Sequence, residues 1–175
     1  GELEGVKYEQ ITYEGYAPAG VALMVEVLSD NRNRTGADVR MVFSKAGGSM
    51  AEPGAVSWQF ERKGVFVLPK TVEEDDLMLV ALDAGADDLT DSGDTWELTT
   101  PPAAFLAVKA ALDEAAIGYD SAELDMISTN VVPLDSENDV RKVLKLIDAL
   151  EELDDVQNVY ANFDIPDAIM SELAV

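Results

Sequence analysis

Runs rich in β-branched and aromatic residues alternate along this chain with stretches whose apolar positions recur every three to four residues, so strands and helices are predicted in turn. Strands are expected over 8–16 and 21–29, joined through the turn Ala17-Pro18-Ala19-Gly20 into an opening hairpin. Val39, Val42, Phe43 and Ala46 then fall at i, i+3, i+4 and i+7, and Gly47-Gly48 follows where a helix end favours positive φ. A helix is therefore predicted over 35–46. Strands over 55–60 and 65–68 are expected around a turn at Glu61-Arg62-Lys63-Gly64, with Trp58 and Phe60 sharing one face as core positions.

A second helix over 73–84 has Thr71 as candidate N-cap, four acids near its start where the macrodipole favours them, and Leu77, Val80, Ala81 and Ala84 as its inner stripe. Strands over 87–90 and 95–99 flank the turn Asp91-Ser92-Gly93-Asp94. Thr100-Pro101 opens a helix that buries Phe105, Val108 and Leu112 and runs to Gly118, and 119–128 returns to strand. From Val65 the order reads β-α-β-β-α-β, the split β-α-β arrangement. After Val131-Val132-Pro133, Ser136 with Asp139 approximates a capping box for a helix over 137–152 that buries Val140, Val143, Leu144, Ile147 and Leu150. A strand over 156–163 and a tail over 165–173 with a last helical turn or two complete the chain. The expected fold class is α+β, with two domains of ferredoxin-like order. One covers 1–63 and 130–175; the other, 64–129, is acidic and inserted into it.

Among 175 residues there is no Cys and no His, which removes thiol nucleophiles, Cys/His zinc sites, Ser-His triads and imidazole acid–base chemistry. Neither a phosphate-binding GxxxxGK[ST] loop nor a nucleophile elbow is present. Asp75, Asp76, Asp87, Asp88, Asp91 and Asp94 do not follow the spacing of a calcium loop. A non-enzymatic protein with no cofactor, no metal and no small-molecule substrate is expected. No apolar run approaches the roughly 20 residues that span a bilayer and no leader pattern opens the chain, so a cytoplasmic protein with no membrane partner is expected. The opening Gly1-Glu2-Leu3-Glu4, without Met, suggests a trimmed or partial chain.

Twelve Lys+Arg against 35 Asp+Glu give a formal charge of −23, which argues against a protein that coats nucleic acid generally. The imbalance is local: residues 1–70 hold 8 bases and 9 acids, whereas 71–175 hold 4 and 26. Contact with nucleic acid is accordingly expected in the first part. Arg32 and Arg34 sit where a strand hands over to a helix N-terminus, which disfavours cations. With Arg40, Lys45, Arg62 and Lys63 they form a candidate phosphate-binding patch, next to which Tyr8, Tyr13 and Tyr16 could stack on bases. The competing reading pairs these cations with the chain's own carboxylates and gives the tyrosines to the core or a sheet edge.

Five stretches occur in the order found in one known family: Tyr13-Glu14-Gly15-Tyr16-Ala17-Pro18-Ala19-Gly20, Asp30-Asn31-Arg32-Asn33-Arg34-Thr35, Phe43-Ser44-Lys45-Ala46-Gly47-Gly48, Ser57-Trp58-Gln59-Phe60-Glu61-Arg62-Lys63-Gly64 and Val156-Gln157-Asn158-Val159-Tyr160-Ala161-Asn162-Phe163-Asp164. From about Leu3 to Leu173 the chain resembles the YebC/PmpR family, whose mitochondrial relatives are translational activators of cytochrome c oxidase subunit I. The resemblance implies a helical N-terminal domain followed by two α+β domains, of which this chain would be the last two. It also implies a probable transcriptional regulator that binds DNA, or a ribosome-associated translation factor, with DNA or ribosomal RNA and tRNA as partners and the ribosome or polymerase as targets. Arg32, Arg34, Lys45, Arg62 and Lys63 would contact phosphates, with Tyr13 and Tyr16 shaping the adjoining loop. The turn that the family usually writes Gly-Pro-Gly-Gly is here Ala17-Pro18-Ala19-Gly20. The alternative expectation is a protein-binding module whose acidic inserted domain engages a basic partner.

Overall fold

The computed structural model describes residues 6–165, so the predicted tail over 165–173 lies outside the described residues apart from Ile165. The chain divides into two compact units, one formed by residues up to 60 together with those from 128, the other by 61–127. Both are α+β.

In the first unit β1 (Glu9–Tyr16) and β2 (Ala22–Ser29) form the antiparallel hairpin read from the sequence, joined by a short 3-10 turn at Pro18–Gly20. α1 (Arg32–Lys45) follows, then β3 (Ser49–Ala51), which returns antiparallel to β1. After the second unit come β8 (Val132–Pro133), α4 (Glu137–Glu151), β9 (Val156–Ala161) and β10 (Phe163–Asp164). The sheet order is β3-β1-β2-β9, with β8 and β10 as a separate parallel pair. Ile11, Leu23, Val25 and Val27 of the strands pack with Val39 and Phe43 of α1 and with Val140, Val143, Leu146 and Leu150 of α4. Burying such stripes is what holds a helix to a sheet, because each side chain contributes about 1.5–3 kcal/mol when fully removed from water. Gly15 lets α1 cross β1 closely: a Cβ there would lie 2.7 Å from Cε1 of Phe43 and 2.6 Å from the Ser49 carbonyl oxygen.

Three expectations for this unit need correction. The split β-α-β order does not hold here, because a central hairpin and the short β3 replace it. Residues 55–60 are not a strand with a following turn at 61–64: a 3-10 turn occupies Ser57–Gln59 and a single strand, β4 (Phe60–Pro69), starts at its end. The physical reason is Glu14, whose carboxylate accepts hydrogen bonds from the backbone N–H groups of Gly54, Val56 and Ser57 at 2.7, 2.9 and 2.7 Å, taking the donors a sheet ladder would need. Phe60 is buried as read, but Trp58 is 69% exposed. Finally, α1 starts at Arg32, three residues earlier than predicted, because the Asn31 side chain caps it by accepting from Arg34 N–H.

In the second unit β4 leads to α2 (Glu74–Asp83), β5 (Asp88–Asp91), β6 (Thr95–Thr100), α3 (Phe105–Glu114) and β7 (Ser121–Ser128), with sheet order β5-β6-β4-β7. This is the split β-α-β order. Phe66, Leu68 and Leu98 of the sheet pack with Leu77, Ala81, Val108 and Leu112 of the helices. Thr71 does not cap α2, whose N-cap position is Glu73 without a side-chain bond. α3 begins after a 3-10 turn at Pro102–Ala104 and ends at Glu114, because Ala116 rather than Gly118 takes the positive φ, 57°.

Candidate nucleic-acid interface

The two ends of α1 hold the cations that the sequence singles out, and they differ in what surrounds them. At the N-terminus Arg32 Nη2 lies 2.9 Å from Oε2 of Glu9, and Arg34 Nη2 lies 2.8 Å from both Oδ1 of Asp30 and Oδ2 of Asp155. Beneath Arg34, the buried Thr35 hydroxyl donates to Asp155 Oδ2 at 2.6 Å and shares a 2.6 Å bond with Ser29 Oγ, which in turn accepts from Asn31 N–H at 2.9 Å. Thr35 and then Arg34 hold the Asp155 carboxyl below its ordinary range, and bonds to carboxylates raise both guanidinium groups further above theirs. This end is a closed polar clasp that ties α1 to β1, to the end of β2 and to the approach to β9.

At the C-terminus the helix ends in a Schellman motif: Gly48 N–H donates to the Phe43 carbonyl at 2.9 Å, Gly47 N–H to Ser44 at 3.3 Å, and Gly47 has φ 81°. Lys45 occupies the last turn, where the macrodipole favours a cation. It borders a groove of about 770 Å³ whose other lining residues include Pro18, Val42, Ala149, Lys142 and Lys145. Lys142, Lys145 and Ala149 stand at i, i+3 and i+7 on α4 and so share a face. Among the described residues Lys45, Lys142 and Lys145 are exposed and none makes an ion pair. Three ammonium groups around an apolar floor attract anions.

The rest of the sequence-derived set is not gathered here. Lys63 belongs to the second unit and is bound to Asp87 at 2.7 Å, which raises its pKa; Arg62 is exposed and makes no ion pair among the described residues. Tyr13 and Tyr16, three apart on β1, point to opposite faces of the sheet. Tyr13 packs at the edge of the α1 core, where burial raises its pKa against the opposing charge of Arg32, while Tyr16 is exposed. Lys142 and Lys145 escaped the sequence reading because they lie in a segment whose net charge is strongly negative. Their i, i+3 spacing on a well-marked amphipathic helix was the available signal. Trp58 reads as core only through its false alternation with Phe60. Among the described residues there is no cluster of three or more acidic side chains placed to hold a metal ion, and no helix is long and apolar enough to cross a membrane.

A family model described as the second and third domain of TACO1/YebC proteins matches residues 8–163. The chain is 55% identical, over 98% of its length and 68% of the relative's, to a "probable transcriptional regulatory protein" of Rubrobacter xylanophilus. To a protein of the same description from Geobacter sulfurreducens it is 53% identical over 99% of its length and 70% of the relative's. A crystal structure of a conserved hypothetical protein from Aquifex aeolicus superposes with a TM-score of 0.74 at 44% identity, covering 94% of this chain and 68% of that one.

Proposed function

The chain belongs to the TACO1/YebC family, and from that premise we propose that it is a non-enzymatic regulator of gene expression that holds nucleic acid by its phosphates in the groove between α1 and α4. The observation that carries this reading is the convergence of Lys45, Lys142 and Lys145, none of them ion-paired among the described residues, in a protein of formal charge −23. A small basic site on an acidic body takes a polyanion at one place and repels it elsewhere. Lys45 keeps the role the sequence suggested. Arg32 and Arg34, held by Glu9, Asp30 and Asp155, serve in this reading to fix the β2–α1 junction.

The test is oligonucleotide binding by the chain across a salt series. Each single-strand phosphate contact contributes about −0.7 to the slope of log K against log salt, so three contacts give about −2. Combined Lys45→Glu, Lys142→Glu and Lys145→Glu should abolish that slope; an unchanged slope rejects the site. Sedimentation with ribosomes in the presence of excess duplex DNA separates the two regulatory routes, since binding that survives the competitor favours translation and binding lost to it favours transcription.

One observation favours a second reading. Leu79 on α2 and Leu106 on α3 are 76% and 74% exposed in the unit that carries the acidic run Glu73-Glu74-Asp75-Asp76, a composition suited to a basic, apolar protein segment. That reading predicts no oligonucleotide binding, and salt-dependent polylysine binding that reversal of those four acids removes.

A further inference from the structure

Resting on the reading that the chain acts on nucleic acid, we infer that Trp58 is a stacking platform for an unpaired base, so that the nucleic acid held is single-stranded at that point. Tryptophan is highly buried on average, yet Trp58 keeps 69% of its surface exposed. It is also fixed. Its Nε1–H donates to the Ala55 carbonyl at 2.9 Å, and the backbone just before it is held by the three N–H bonds to the buried Glu14 carboxylate. Its neighbours on either side along the chain anchor the turn: Val56 is fully buried, and the buried Gln59 accepts from Ser128 Oγ at 3.0 Å and Asn162 Nδ2 at 2.8 Å.

The ring's one polar group is thus satisfied internally, and the side chain presents a π surface with no hydrogen-bonding atom free to read a pattern. Such a surface takes any base by its face, and a base offers its face only when unpaired. Because the turn around the ring is already held in place, little freedom is lost on stacking.

The chain has two tryptophans. Trp96 is partly buried, donates Nε1–H to the Val72 carbonyl at 3.0 Å and has Lys70 Nζ 4.1 Å above its ring. In a Trp96→Phe variant Trp58 is the sole indole fluorophore. The experiment titrates this variant with a single-stranded oligouridine and with a duplex of equal length, following Trp58 emission and, separately, the anisotropy of labelled strand. Quenching of Trp58 by the single strand and not by the duplex is expected. Trp58→Ala should weaken single-strand binding roughly five- to a hundredfold, and Trp58→Phe should retain most of it. Single-strand binding with unchanged Trp58 emission, or with the Trp58→Ala affinity equal to the parent's, overturns the platform and leaves the nucleic-acid reading standing. No anisotropy change with either strand overturns both. The emission readout needs no substitution at Trp58, so a poorly folded alanine variant does not blunt it.

Discussion

The N-terminal and C-terminal ends of α1 carry comparable amounts of positive charge near the helix, and the structure uses them in opposite ways. Arg32 and Arg34 stand where the macrodipole opposes them, and carboxylates from 23 residues upstream (Glu9) and 121 residues downstream (Asp155) cancel the charge. Lys45 stands where the dipole favours a cation, and α4 adds Lys142 and Lys145 beside it; among the described residues none of the three makes an ion pair. A cation in an unfavourable local field points to a partner, and here the partner is inside the molecule. A cation in a favourable field needs none, which leaves it available to a ligand.

Charge reversal separates the two ends most sharply. Reversing Lys45, Lys142 and Lys145 together should reduce oligonucleotide affinity on the order of a hundredfold at low salt, with only a small fall in melting temperature, since no ion pair is lost and only the favourable field at the end of α1 is turned against the side chain at 45. Arg32→Glu with Arg34→Glu should do the reverse. It places new acids against Glu9, Asp30 and Asp155 and so lowers the melting temperature, while the salt slope of the folded protein stays unchanged. Equal losses of binding from the two variants would break the comparison and return Arg32 and Arg34 to the interface.

Asp155 tests the clasp from its other side. Asp155→Ala removes the acceptor of the Thr35 hydroxyl and should cost about 1–2 kcal/mol in urea unfolding. Thr35 and Arg34 depress the carboxyl's folded pKa, so its contribution is fully present above the unfolded carboxylate value, near 4, and is lost as pH falls through the lower folded value. The parent should therefore lose stability in acid below about pH 4 more steeply than Asp155→Asn does. Parallel acid limbs would mean that the carboxyl is not depressed in the folded state.

Local pattern carried most of the fold. The three-to-four spacing of Val140, Val143 and Leu150 marks α4, and the alternation of element types from Val65 onward yields the strand order of the second unit. Where the turn at Ser57–Gln59 misleads, the cause is a distant partner. Val56, Trp58 and Phe60 alternate like a strand, but Glu14, some 40 residues earlier, holds the backbone in a turn. The start of α1 reads three residues late because its apolar spacing begins only at Val39, whereas the Asn31 side chain caps the helix at Arg32. The lysines of α4 were hidden by averaging charge over a long acidic segment, where the face that a residue occupies matters more than the sum.

The smallest expected effect concerns the turn that borders the lysine groove. Ala19 has φ 68° and Gly20 φ 79°, while the turn is closed by Ala17 N–H to the Val21 carbonyl at 2.8 Å and Gly20 N–H to Ala17 at 3.3 Å. A left-handed conformation costs a non-glycine residue about 1–2 kcal/mol, and glycine gives back part of that gain through the freer unfolded chain. Ala19→Gly should therefore raise stability by about 0.5 kcal/mol, read as a higher urea midpoint at constant slope. If charge alone makes the groove an anion site, oligonucleotide affinity should not move with it. A change in affinity at fixed charge would show that the path of the Pro18–Gly20 backbone, and so the shape of the groove, belongs to recognition at the C-terminal end of α1 as much as its three lysines do.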